Sequence, residues 1–529
     1  MRIGLIAVSV AMTLALASCG ARPTPGTPEA AAQTDSQAGG NAFYVNAFYV
    51  AVDGDDGNPG TLTQPWRTIQ HAAERLAPGE TAYVRGGVYN EAVTVMVSGT
   101  ESDGPVTFAS YPGETAVLDG SGLTDPDGPV GFTLVDRSYV VIQGFEIRNF
   151  SSSDPDATPA GIFVSGASHH VTIRGNRIHQ IETQAQDGNA HGIAVYGDQA
   201  PASIHHLLIQ DNELDHLKLG WSESLVLNGN VENFQVLDNR IHHNDNIGID
   251  LIGFEGTAPD PAYDRARDGL VQGNTVYQID SGDNPAYQGD RSADGIYVDG
   301  GVRITIQGNR VYRCNIGIEV ASEHGNGDAS FITVRNNLVY WNHVTGLAMG
   351  GYDRQRGSAF QNSIVNNTFF QNDTLEEGNG ELLLQYDVHD NRIENNLFYA
   401  NAQSLLISNP FRQNQGNLVD YNLYFAPDGA DGSQWQWRKN THQGFDAYRG
   451  ATGNDSHSLF ADPRFVDVTE PDLRLQADSP AIDVGDASAP VGDADFQGGP
   501  RIQGSGVDLG ALEFPAGQAL YLPLVSRGE

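Results

Sequence analysis

The chain has 529 residues, with 29 Lys+Arg against 66 Asp+Glu and a formal charge of −37. That balance argues against nucleic acid or an anionic membrane surface as partner, because both demand a basic face. The length suits two ordinary domains or one elongated repeat domain.

At the N-terminus Arg2 precedes an apolar run over residues 3–17, which is too short for a membrane span and reads as a signal segment. The run closes on Leu16-Ala17-Ser18-Cys19-Gly20, which resembles the lipobox of bacterial lipoproteins. The resemblance implies a signal peptide over 1–18 and a lipid on Cys19. It also implies an extracytoplasmic protein anchored to a bacterial membrane or cell surface through that lipid alone. Cys314 is the other cysteine, and a lipidated Cys19 leaves it without a disulfide partner. Residues 19–47 are rich in Pro, Ala, Gly and Thr without an apolar period, so they form a flexible tether ending in a duplicated NAFYV.

Residues 48–95 read as strand, turn, helix, strand. Ile69, Ala72, Ala73 and Leu76 share one helical face, and Pro78-Gly79 stops the helix. This segment, YVAVDGDDGNPGTLTQPWRTIQHAAERLAPGETAYVRGGVYNEAVTV, resembles the N-terminal module of carbohydrate-active β-helix proteins. Those include pectate lyases of polysaccharide lyase family nine and some β-helical xylosidases. The resemblance implies a helix capping the open end of a stacked core, as a solenoid requires.

From 96 to 425 an internal repeat sets the fold. The motif apolar-x-apolar-x-[GDN]-Asn-x-apolar recurs, for example in VTIRGNRI, ITIQGNRV and RIENNLF. Its Asn falls at Asn176, Asn212, Asn239, Asn274, Asn309, Asn337, Asn367 and Asn396, at spacings of 27 to 36 residues. Each repeat carries a second short strand led by a small residue, as in GIAVYG, GIDLIG and GIYVDG. One repeat per coil gives an all-β chain folded as a right-handed parallel β-helix of about ten coils. The Asn column then stacks into an internal amide ladder. Residues 426–514 change character, and FADPRF, DLRLQADSPAIDVGD and VDLGALEF resemble a C-terminal module common on bacterial secreted β-helix proteins. That module packs on the last coils and is not catalytic in such proteins. Residues 515–529 form a tail.

Aligning the second strands stacks Phe163, Ala194, Val226, Asp250, Tyr297, Glu319 and Ala348 in one column. The Ile and Leu on either side face the core, so this column points outward. Asp250 and Glu319 stand two coils apart around Tyr297, with about 9–10 Å between backbones. That is the upper edge of the ~6.5–9.5 Å expected for an inverting carboxylate pair. Glu255, Glu323 and His324 follow in the loops, Asn228 and Asp299 share a second outward position, and Glu223 and Asp294 precede their strands. The candidate catalytic groups are Asp250, Glu319, Glu255 and Glu323, and the candidate substrate contacts are Asn228, Tyr297, His324 and Glu223. The later positions Ala348, Gly350, Leu383 and Gln385 read as chemically mute. The excursions 254–268 and 280–293 flank the patch as walls of a groove. A merely solvated acidic face remains the competing reading.

Lys218 and Lys439 are the only lysines. Lys218 has two readings, a cross-coil ion pair with Asp245 or a base for β-elimination. The second follows from the family-nine resemblance, which implies a lysine beside a Ca²⁺-bound acid. Asp294, Asp299 and Asp245 are the candidate calcium ligands. The Asp-Asp-Gly-x-Asp motif of that family is only approached, at 246–250 and 293–297. No organic cofactor is indicated. The pairs His169-His170, His205-His206 and His242-His243 read as surface turn residues. The resulting expectation is a surface-tethered, monomeric polysaccharide-active enzyme, lyase or glycoside hydrolase, working in a groove along the helix. The alternative is a non-catalytic glycan-binding or adhesion protein on the same fold.

Overall fold

The computed structural model describes residues 46–515. The expected signal peptide, Cys19 and nearly all of the tether and tail lie outside the described residues. Three sheets of 13 strands run along the chain. The first runs from Ala47–Val50 to Leu418–Asp420, the second starts at Val93–Thr94, and the third runs from Gly87–Tyr89 to Leu459–Phe460. Within each sheet neighbouring strands come from successive coils and pair in parallel, which makes a right-handed parallel β-helix. The second sheet ends in an antiparallel return between Gln434–Trp437 and Asn440–Gln443.

The coils outnumber the expected ten and extend past 96–425 on both sides. The early coils carry no Asn at the repeat position, so the motif does not mark them. Thr68 caps a helix over Ile69–Ala73, its hydroxyl accepting from the His71 N–H at 3.1 Å. The helix ends well before Pro78, although Leu76 remains buried in the same core as Ile69, Ala72 and Ala73.

Two devices set the coil geometry. One is the small residue that leads each strand of the second sheet. A Cβ on Gly295 would stand 2.4 Å from Val311 Cγ1 and 2.7 Å from the Gly317 carbonyl, so only a glycine-sized residue lets the coils stack there. The other is the Asn ladder. Asn309 is wholly buried; its Oδ1 accepts from Asn274 N and Nδ2, and its Nδ2 donates to Val271 O and Asn337 Oδ1, all at 2.9–3.0 Å. The ladder continues to Asn422, and a second one, Asn342 to Asn372, lines another corner. Asn309→Leu is expected to strand the Asn274 N–H and the Val271 carbonyl at a cost of about 1–3 kcal/mol. Urea unfolding checks this, and an unmoved midpoint would remove the ladder from the stability of the coil.

Residues beyond 460 lie along the outside of the third sheet. Phe465, Leu473, Leu475, Leu509 and Leu512 cover Leu338, Tyr340, Phe370, Leu397 and Leu423. Arg501 and Glu513 form a fully buried ion pair at 3.1 Å beneath them.

Candidate active site

Strand pairing places the expected column in one register. Phe163 pairs with Ala194, Ala194 with Val226, Val226 with Asp250, Asp250 with Tyr297, Tyr297 with Glu319, and Glu319 with Ala348. Ile249 and Leu251 belong to the core, so Asp250 between them points away from it. The column is nevertheless covered: Asp250 is 3% exposed, Tyr297 4% and Glu319 7%. The reading of a solvated face is thereby corrected. Glu223, Asp294 and Asp299 are buried beside the column, and Asn228 is fully enclosed.

The covering loops are fastened by backbone donors. Asp264 accepts from Gly256 N and Ala258 N, which folds the 254–268 excursion. Glu255 sits at the exposed rim, where Asn228 Nδ2 donates to it, and Asn228 Oδ1 accepts from Thr257 Oγ1 at 2.7 Å. On the other side Asn284 Nδ2 donates to Gly220 O at 2.7 Å, holding the 280–293 excursion so that Tyr287 packs 5.1 Å from Trp221. Glu323 N donates to Asp299 Oδ1 at 2.7 Å, and Arg356 Nη1 to Glu323 O at 3.0 Å. His324 is half-buried next in the chain; burial raises Glu323 above the usual carboxylate range, against the opposing charges of Arg356 and His324.

Packing this many carboxylates away from water forces protons onto them. Burial, with the charges of Glu255 and Glu323, pushes Glu223 up to about 8. Burial also raises Glu319 to about 7, against a hydrogen bond from Asp294 and one from Gln385. Asp250, Asp294 and Asp299 all rise well above the usual carboxylate range, through burial first and like charge second. Asp294 and Glu319 share a side-chain hydrogen bond, with Asp294 as the donor. Asp250 Oδ1 and Asp294 Oδ1 are buried without a hydrogen-bond partner.

Several contributors were not visible in the sequence. Gln385, read as mute, donates from Nε2 to Glu319 Oε1 at 3.0 Å. It reaches past Ala348, whose methyl leaves the gap. His191 stands one coil before Glu223, with Nδ1 3.2 Å from the Glu223 carbonyl and Nε2 3.3 Å from Tyr196 OH, and burial lowers it to about 4. Trp221 and Tyr287 add an aromatic edge. The signal for Trp221 was its place just before Glu223; nothing in the sequence marked Gln385.

Two of the expected groups lie apart from the cluster. Lys218 lies at the neighbouring corner, exposed and paired with Glu182 at 3.3 Å, in a groove of about 1310 Å³ with His216, His243, Asp280 and Trp341. Asp245 lies in that groove too, accepting from Leu219 N at 2.7 Å, and is therefore separated from Asp294 and Asp299. The three expected calcium ligands do not form one site. Among the described residues, the groups of three whose ligand atoms lie within 4.8 Å of one another are found elsewhere. The large groove holds one raised acid, Asp245, which burial pushes up to about 6, whereas the buried cluster holds five, and the concentration of perturbed acids is the better guide to chemistry.

The chain matches the model described as Pel9A-like, right handed beta helix region over residues 48–207. It matches the right handed beta helix region model over 160–369 and 290–454. It is 43% identical to the protein YwoF of Bacillus subtilis over 435 residues, 82% of this chain and 92% of that one. It is 30% identical to the pectate lyase PEL9 of Emericella nidulans over 159 residues, 28% of this chain and 38% of that one. The lacto-N-biosidase structure from Eubacterium ramulus superposes with a TM-score of 0.48 at 14% identity, covering 72% of this chain and 64% of that one.

Proposed function

This chain belongs to the right-handed parallel β-helix family, and from that premise we propose that it is a polysaccharide-active enzyme whose chemistry is glycoside hydrolysis. The observation that carries the reading is the buried cluster of Glu223, Asp250, Asp294, Asp299 and Glu319, whose burial and mutual charge keep protons on carboxylates near neutral pH. A hydrolase needs one carboxyl group protonated and another ionised beside the same bond. Asp250 fits the acid, held protonated by burial and by Glu223. Glu319 fits the base, since Gln385 and Asp294 both donate to it and favour its anion. Trp221 and Tyr287 offer apolar faces to a sugar ring at the rim. A neutral glycan suits this site better than a uronide, whose own carboxylates would meet like charge.

The similarity to pectate lyases supports a carbohydrate ligand, while the distance of Lys218 from the cluster weighs against elimination by that lysine. The deciding experiment incubates the mature protein with a panel of neutral and acidic polysaccharides, with and without Ca²⁺. Reducing ends and unsaturated-product absorbance are followed separately. Reducing ends rising alone supports the proposal. Unsaturated product sinks it in favour of a lyase, and neither signal sinks it in favour of a glycan-binding protein.

We also propose that the protein works outside the cytoplasm on a lipid anchor at Cys19, on the strength of Leu16-Ala17-Ser18-Cys19. Cys19→Ser is expected to move the protein out of the membrane fraction or leave its signal uncleaved. Unchanged fractionation and processing would remove the anchor.

A further inference from the structure

The first sheet carries a two-by-two array of histidines outside the proposed active site. His169 and His170 lie on one coil, His205 and His206 on the next, with His169 in register with His205. His169 stacks on His205 at 4.9 Å with ring planes 1° apart, and His170 on His206 at 4.4 Å and 5°. Consecutive strand residues normally face opposite ways. Here His170 and His206 adopt φ of 52° and 53°, which turns each onto the same side as the histidine before it. Within each pair the two Nδ1 atoms therefore face each other, at 3.0 Å on the first coil and 2.7 Å on the second.

We propose that His170, His205 and His206, with His169 beside them, form a binding site for a borderline divalent transition metal of the Zn²⁺ class. Their ligand nitrogens all lie within 4.8 Å of one another. Three imidazoles and a water are a familiar donor set for such an ion, and metal–nitrogen bonds of ~2.0–2.1 Å place nitrogens about 3.3 Å apart. The observed separations need little adjustment to reach that. Ca²⁺ and Mg²⁺ are excluded by chemistry, since both take oxygen ligands. Glu101 and Glu232 add negative charge nearby. Tyr139 closes one side, its ring stacked on His170 at 4.4 Å.

A second close set, Glu213, Asp215 and His242, is less available. Asp215 is held by Arg177 and His216, and Glu213 by Arg240 and His242. Among the described residues, the four-histidine array has no such cation in contact. An ion there would tie two adjacent coils together and stabilise the folded state by mass action.

The test titrates the tag-free mature protein with Co²⁺, reading its ligand-field absorption, and follows unfolding temperature with and without Zn²⁺. One equivalent of Co²⁺ is expected, with a Zn²⁺-dependent rise in unfolding temperature. The double variant His170→Gln, His206→Gln should unfold normally without metal and bind Co²⁺ about tenfold or more weakly. The control variant His242→Gln, His243→Gln should bind as the parent does. Equal Co²⁺ affinity in parent and first variant overturns the site, as does an equal loss in the control. If the first variant misfolds, His206→Gln alone is titrated against the same two criteria.

Discussion

Asp250→Asn and Glu319→Gln are each expected to lower turnover by about 10²-fold or more while the protein stays folded. Both amides keep the shape of the side chain and remove its titrating proton. Folding should survive because burial already disfavours the charged form of both groups, and an uncharged amide of the same shape carries no such desolvation cost. The two acids flank Tyr297 on strands two apart. That separation, about 9–10 Å between backbones, stands at the upper edge of the carboxylate spacing of an inverting pair. Asp294 has a different part. It bonds Glu319 directly, too close for a water to stand between, and acts by positioning and poising that base. Asp294→Asn keeps a donor toward Glu319, so it should shift the acidic limb of the pH–rate profile, which the base sets, more than the maximal rate. Full activity in both Asp250→Asn and Glu319→Gln, on a polysaccharide the parent cleaves, would move the active site elsewhere.

The column was legible because strand periodicity and a leading small residue fix register along the second sheet. Gly248, Gly295 and Gly317 must stack, so Asp250, Tyr297 and Glu319 follow two residues later in every coil. The cover over the column was not legible. The excursions 254–268 and 280–293 have no repeat partner, so the burial of the acids beside them had no signal in the repeat. Lys218 was legible in one of its two readings. It lies beyond the end of Glu213–Asp215, pairs in register with Glu182 of the preceding coil, and makes a cross-coil ion pair there instead of joining the cluster. The histidine pairs were mistaken for independent turn residues because two positive φ angles, invisible in sequence, aim all four rings to one side.

Between about pH 6.5 and 8 the folded protein should lose stability as pH rises, and the cluster should account for a measurable share of that loss. Glu223 has a folded value of about 8 against an unfolded value near 4.5. The folded state then holds a proton that the unfolded state has released, so ν_U − ν_N is negative and stability falls with pH. Integrated over this window a single such group contributes about 2 kcal/mol. Glu319 at about 7 adds to the slope in the lower half of the window. Buried histidines push the other way only at lower pH. His191, lowered to about 4, gains stability as pH rises toward the ordinary histidine value near 6.5 and contributes nothing above it. Glu381, raised to about 8 by burial among Asn372 donors, gives a parallel slope unrelated to the cluster. The informative quantity is therefore a difference: the change in urea midpoint from pH 6.5 to 8 in the parent, minus the same change in Glu223→Gln. The variant should lose part of the slope and be the more stable protein at pH 8, while hydrolysis falls. Stability would then be what the fold gives up to hold a proton where the reaction needs one. Identical slopes in the two proteins would mean that Glu223 is ionised throughout, and that the cluster is wetter and less poised than its burial implies.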